Sequence, residues 1–508
     1  MSAASSSMYL SAYRGAADAV FRIDSFVPKP LRVCYDEGGT FRMRDLNKKG
    51  REDMRSKTIN MTEGSIGDKL FAVALPLAAT AVLQQMFNAA DVAVVGRFAG
   101  KQAMAAVGSN TPVIGLMVNL FMGISIGTNV VIAKMLGARD ESKVHDAVHT
   151  SILLAVLGGF LLMLAGQAIA APLLTMLSVP EEVLPMAVLY LRIYAVGFPV
   201  IFLYNFEAAI LRSQGNTRTP LFCLTFSGLL NVVLNLFFVI VLKMDVAGVA
   251  LATVLSNVVS SAMLFVYLVR DKGLLRVVPS DLKLNSSLCR EIVRIGLPAG
   301  LQGVLFSVSN ILVQSAINSL GADVMAGSAA AFNIEICAFF MMNAYTQTLT
   351  TFIGQNYGAG KPERCLRITR ICIAQAMAFT VGLAVLLLVF ARPLLGLFNP
   401  EPEVIEAGLI RMRMILYFEP LDVLMEEIPG AMRGYGRSLP PAVVSLIGVV
   451  GTRILWVNLV FPMFRTFRAL VTVYPITWVI TDIALLIVYF RMKNVDLKEF
   501  FAGADSAA

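Results

Sequence analysis

Charge is what this chain has least of. Asp, Glu, Lys and Arg make up only 15% of its 508 residues, against 57% hydrophobic, with a mean hydropathy of +0.72. Soluble domains carry about 25% charged residues, so the composition excludes an ordinary soluble protein and defines a polytopic membrane protein. Six cysteines, at positions 34, 223, 289, 337, 365 and 372, form no CxxC pair, which excludes a disulfide framework and a zinc site. There is no G-x-x-x-x-G-K-[ST] sequence, so this chain has no P-loop with which to use ATP directly. The two histidines, His145 and His149, flank Asp146 at i, i+4, but HDxxH is not HExxH and no third ligand is evident; they read as an ordinary interfacial face. The net charge of +8 is what lysine and arginine on the cytoplasmic side produce, and it requires no nucleic acid.

Long apolar runs are what the chain does have. The organising one is Leu75 to Phe98, in which Thr80, Gln84, Asn88 and Asp91 recur at helical spacing and form one polar stripe, with Gln85 beside it. A carboxylate inside a bilayer costs roughly 2.5–3.5 kcal/mol on insertion scales, so Asp91 is expected to face a partner helix or a water-filled cavity.

From Lys69 onward the apolar segments each approach or exceed the roughly 20 residues that span a hydrocarbon core. They predict helices near 69–95, 104–134, 146–170, 182–211, 219–241, 246–269, 292–318, 324–355, 366–390, 403–432, 440–461 and 468–490. The fold class expected is therefore an all-α polytopic membrane protein of twelve transmembrane helices in two six-helix pseudo-symmetric lobes. The expected division is a cytoplasmic, disordered tail over 1–63, a first lobe over 64–275, a connector over 276–290, a second lobe over 291–495 and a C-terminal tail over 496–508. Residues 1–63 hold a basic cluster (Lys48, Lys49, Arg51, Arg55, Lys57) and no signal-peptide core, and Met54 is a natural alternative start. Loops rich in basic residues, such as Arg270 to Arg294 and Lys361 to Arg370, alternate with poorer ones, which places both termini in the cytoplasm of a plasma (inner) membrane protein.

The second half repeats the first. Leu75-Pro76 matches Leu297-Pro298 and Asn88 matches Asn310 (88 + 222 = 310), while Pro199 matches Pro420 and Arg212 matches Arg433 (212 + 221 = 433). Six helices per repeat enter the membrane from one side, so the pseudo-twofold axis runs along the membrane normal, as in secondary transporters that alternate access by rocking one lobe against the other.

These residues resemble the multidrug and toxic compound extrusion (MATE) family over 64–495. The resemblance rests on Asn88-Ala89-Ala90-Asp91 with Val95-Gly96-Arg97, on Gln355 to Lys361, on Leu211-Arg212 through Gly215 to Pro220, and on Val246 to Thr253. It is nearest to the MepA-like branch. The resemblance implies an exporter of organic, often cationic or aromatic, compounds exchanged for protons or sodium ions, with no other cofactor. Asp91 matches the acid that members use for coupling. Many members have an aspartate where Asn235 stands, and one sodium-coupled branch has a seventh-helix glutamate that is absent between Leu297 and Leu320.

The cation-coupling set expected is Asp91, Asn88, Asn231 and Asn235; the plainer alternative makes Asp91 a structural acid paired with Asn231 or Asn235. The second lobe has Val313 at the place of Asp91 (91 + 222 = 313). Glu335, Asp422, Gln84, Asn310 and Gln314 are the candidates for substrate or a second cation, with a structural pairing of Glu335 or Asp422 to Arg413 as the alternative. Glu207, Glu419, Glu426 and Glu427 are weaker candidates, as acids near helix ends within reach of water. Arg212 and Arg433 are expected to snorkel to the interface and cap their helices. The partners expected are small organic molecules and the lipid bilayer, with the chain a monomer. A lipid-linked sugar flippase, favoured only by Arg453 within the eleventh helix, and an intramembrane enzyme are the rival readings; the latter lacks a convergent catalytic pair.

Overall fold

The computed structural model describes residues 59–177 and 179–505, and the expected tail over 1–58 lies outside the described residues. The first lobe holds α1 (Gly67–Phe98), α2 (Gly100–Ala138), α3 (Glu141–Met176), α4 in two halves (Leu184–Val196 and Phe198–Ser213), α5 (Arg218–Leu236) and α6 (Asp245–Arg270). The second holds α7 (Ser286–Asn318), α8 (Ala322–Gly358), α9 (Pro362–Val389), α10 in two halves (Pro402–Leu416 and Glu419–Gly434), α11 (opening at Leu439–Ser445) and α12 (Phe467–Val471, then Val473–Asp505). The last of these helices runs on through most of the expected C-terminal tail.

Ten of the described helices are long and apolar enough to cross a membrane, and α4 makes eleven when its halves, bent by 48°, count as one span. The twelfth is α10, whose Arg411, Arg413, Glu419, Asp422, Glu426, Glu427 and Arg433 make it too polar to register as an apolar span. Both broken helices resume at a matching proline, Pro199 and Pro420. A proline has no N–H to give and crowds the carbonyl one turn back, so the helix restarts there. The repeat extends to single backbone angles. Gly215 and Gly436 (215 + 221 = 436) follow the second halves of α4 and α10 with φ of +81° and +84°, a left-handed conformation that only glycine adopts without strain.

Polar side chains cap the helices at the pole that carries the basic loops. Asp140 accepts from the Lys143 backbone N–H at 3.1 Å and pairs with the Lys143 ammonium at 2.7 Å, which holds its carboxyl below the usual range. Asn285 caps α7 in the same way.

The lobes meet through glycines. A Cβ added to Gly123 of α2 would stand 2.1 Å from the Gly300 backbone of α7, and one added to Gly127 would stand 2.2 Å from the Ile292 carbonyl. Nearer the basic pole, Gly137 abuts the Gln355 carbonyl and Gly358 abuts the Lys134 carbonyl, each at 1.9 Å by the same measure. Hydrogen bonds between the lobes include Asn119 to Ser307 (3.2 Å), Thr351 to Asn129 (2.9 Å), Arg212 to Gln347, and Gln355 to the Ser213 carbonyl (2.6 Å). Arg212 therefore reaches across to the other lobe rather than out to the interface. Arg433 is buried between Glu426 and Glu427 and does not snorkel either. Of residues 59–63, expected in the tail, Met61 is fully buried and Ile59 and Thr62 are partly buried, while Asn60 and Glu63 are exposed.

Candidate functional site

In the first lobe the acid finds its partners on two other helices. Asn235 of α5 donates through Nδ2 to Asp91 Oδ1, and the Thr253 hydroxyl of α6 lies 3.4 Å from Oδ2. Asn231, one turn before Asn235, accepts from Asn235 Nδ2 at 3.2 Å and approaches Thr253 Oγ1 at 3.4 Å. Asn235 is fully buried and its Oδ1 has no hydrogen-bond partner, while Asp91 retains partial exposure. The α-helical part of α5 ends at Leu236 and passes into a π turn over Phe237–Val241, a local rewinding that frequently marks functional positions. The result is a carboxylate met by one amide N–H and one hydroxyl, with the Asn235 Oδ1 acceptor left over, a cluster in which the carboxylate is the group able to take up a proton or a small hard cation.

Three of the four expected coupling residues thus come together: Asp91, Asn231 and Asn235. Asn88 does not join them; it is exposed. Gln84 is half-buried without contact to the cluster. Thr253 belongs to the site and was not expected there. Its signal was a threonine one turn before Asn257, in a helix that also carries Ser256, Ser260 and Ser261. Val313, the second-lobe counterpart of Asp91, is fully buried, so no matching site exists in that lobe.

The second lobe instead holds a charge network. Arg411 binds Glu335 through Nε at 2.9 Å and through Nη2, and Nη1 reaches Ser328 at 3.1 Å. The partner of Glu335 is Arg411 and not Arg413, and the pair is 6% and 8% exposed. Arg453 donates to Asn310 at 2.6 Å and lies over the Tyr474 ring at 4.6 Å, with Arg411 on the same ring at 5.6 Å. Asp422 sits among Glu419, Glu426, Asp482 and Arg453. Gln314 bonds only its neighbour one turn on, Asn318, and is exposed. Asp482, 4% exposed with neither carboxylate oxygen bonded, and Tyr474 were missed, although Asp482, a lone acid in the last apolar span, carried the same signal as Asp91.

Glu207 and Glu427 are fully buried rather than near water, bonded to Ser261 (3.0 Å) and Thr346 (3.2 Å). His149 serves the connector: its Nδ1–H donates to the His145 carbonyl at 2.7 Å, and its Nε2 accepts from the Val278 N–H at 3.0 Å.

Two six-helix lobes repeated about an axis along the membrane normal, with a polar site inside one of them, define a secondary-transporter fold. The chain belongs to the MatE family, whose model matches residues 76–237 and again 298–457, once per lobe. It is 27% identical over 397 residues to the probable multidrug resistance protein NorM of Thermotoga maritima, covering 77% of this chain and 84% of the relative. It is 20% identical to the multidrug export protein MepA of Staphylococcus aureus over 84% of this chain and 95% of the relative, and 23% identical to an FAD transporter of Shewanella oneidensis over 76% and 86%. The fold matches a solved structure titled as the outward-facing conformation of a multidrug resistance MATE family transporter, with a TM-score of 0.78 at 21% identity, over 88% of this chain and 99% of that one.

Proposed function

We propose that this chain is an antiporter that exports organic compounds, cationic or aromatic in character, by alternating access, driven by return of a proton or sodium ion through the first lobe. The observation that carries the reading is the Asp91 cluster, in which a partly exposed carboxylate is held by Asn235 and Thr253 beside an unpartnered buried acceptor, Asn235 Oδ1. A proton on Asp91 or a sodium ion would complete that set, and its departure would leave the carboxylate to the amide donors. The names borne by the relatives support export of drugs. In this reading the basic pole faces the cytoplasm, both termini lie there, and the glycine seam closes the inner side. One chain holds both lobes, so a monomer suffices.

Asp422 is the second-lobe acid we assign to cationic substrate or a second cation, since Glu335 is already neutralised by Arg411. Asn310 is engaged by Arg453, and that arginine is 5% exposed, so its charge is directed into the lobe rather than toward a phosphate in the cleft. This weighs against the flippase reading.

The test is ethidium uptake into inverted vesicles, the equivalent of efflux from the cell, under an imposed pH or sodium gradient. Asp91→Asn is expected to retain ethidium binding and to lose gradient-driven efflux; unimpaired efflux would place coupling elsewhere.

A further inference from the structure

The segment leading into α1 crosses to the other lobe. Asn356 at the end of α8 donates to the Met61 carbonyl at 3.1 Å, Lys361 Nζ to the Thr62 carbonyl at 3.1 Å, and Arg364 of α9 to the Gly64 carbonyl at 3.0 Å. Gln375, further along α9, donates to the Gly67 carbonyl at 3.1 Å. Met61 is fully buried in a cluster with Leu70 of α1 and with Phe352, Cys365 and Ile368 of the second lobe. Its methyl also lies against Gly215 of the first lobe, where an added Cβ would come within 2.6 Å of it. Residues 59–64 therefore touch both lobes at the pole where the glycine seam is tightest.

The lead-in to α7 does the reciprocal thing. Its Val278 N–H is held by His149 and its Asn285 N–H by Thr150, both on α3 of the first lobe. Each lobe is entered by a segment clamped on its opposite number. For α7 that segment is the covalent connector. For α1 nothing in the connectivity of the lobes requires the crossing.

We infer that residues 59–64 are a latch that holds the basic pole closed, and that opening this pole requires the segment to leave the second lobe. It leaves the second lobe and not the first, because α1 carries Asp91 and is bonded through it to α5 and α6. When the lobes part, α1 travels with the first and draws the segment with it. Met61 then leaves its apolar pocket, and the amide and cations of Asn356, Lys361 and Arg364 are returned to water. The segment also lines, with Gly137, Arg139, Gln214 and Lys361, a cavity of 510 Å³ at this pole. The latch costs the open state the whole of these contacts and costs the closed state nothing, so it shifts the equilibrium without contributing to either transport site.

The inference rests on the alternating-access reading, and one experiment separates the two. In proteoliposomes, the pair Thr62→Cys/Lys361→Cys, once joined by a reducible bifunctional thiol reagent of about the length of the lysine side chain it replaces, is expected to lower ethidium transport at least tenfold, with recovery on reduction. The pair Asn129→Cys/Thr351→Cys joins the lobes directly and is expected to do the same. Separately, Met61→Ala, spin-labelled at Lys143→Cys and Arg367→Cys, is expected to gain a population with a longer distance between the labels across the basic pole. Transport unchanged by the first cross-link but stopped by the second would overturn the latch alone. Transport unchanged by both would overturn alternating access. An unaltered label distance in Met61→Ala would also count against the latch.

Discussion

Arg411 and Glu335 form an ion pair inside the second lobe, joined through two guanidinium nitrogens with both residues more than nine-tenths buried. Breaking such a pair leaves an uncompensated charge and costs about 3–5 kcal/mol, whereas replacing both partners by apolar groups is often neutral. Glu335→Gln is expected to lower the melting temperature strongly and to reduce export of cationic and neutral compounds alike. Glu335→Leu/Arg411→Met should recover most of that stability, as read by thermal unfolding in detergent. Selective loss of cation export by Glu335→Gln would instead make it a substrate contact.

Asp422 forms no ion pair among the described residues, its cationic neighbour Arg453 being hydrogen-bonded to Asn310, and the opposite pattern is expected of it. Asp422→Asn should weaken resistance to cationic compounds more than to neutral ones. Growth inhibition across a panel of both classes measures the difference.

The first-lobe cluster cannot be moved to the second lobe by one carboxylate. Val313 is fully buried among apolar neighbours such as Ile317 and Leu470, so Val313→Asp places an acid where no amide or hydroxyl receives it. In the Asp91→Asn background it should leave gradient-driven efflux absent and should lower stability. Asn235→Leu, which removes the donor to Asp91, should reduce coupled efflux at least tenfold while ethidium binding persists. Both are read by efflux and by equilibrium binding.

The glycine seam admits no side chain. Gly123→Ala adds a methyl 2.1 Å from backbone of the other lobe, an overpacking that costs about 1–3 kcal/mol. The expected result is folded protein whose basic pole no longer closes fully, detected as raised reactivity of a cysteine placed at Asn129. Unchanged reactivity and transport would show that the seam tolerates separation.

Sidedness follows from the same pole. Ser280→Cys, exposed in the connector, is expected to react with impermeant thiol reagents only from the cytoplasmic face. Removal of residues 1–53 is expected to leave insertion and export intact, since the latch begins after them; deletion through residue 64 should not be tolerated as well. Labelling from outside, or failed insertion of the shorter truncation, would contradict these two expectations.

The sequence by itself determined the all-helical membrane class and the twofold repeat, and it singled out Asp91 as the acid of the proposed site. Apolar run length is set by bilayer thickness, matched prolines and glycines restart or cap matched helices, and a carboxylate such as Asp91 stands out against an apolar background. Asn231 and Asn235 entered the expected set through the family resemblance, in which many members have an aspartate where Asn235 stands. What only the tertiary structure decided is pairing across helices. That Arg411 and not Arg413 meets Glu335, that Thr253 completes the Asp91 cluster, that Asn88 stands outside it, and that Arg212 bonds Gln347 all depend on helix rotation and crossing. Those are fixed by packing of the interlobe glycines and by the breaks at Pro199 and Pro420, and no local periodicity encodes them. The fate of residues 59–64 shows the same division. Six polar-to-apolar residues carry no spanning signal, and their backbone carbonyls become structural only because Asn356, Lys361 and Arg364, some three hundred residues away, are folded to meet them.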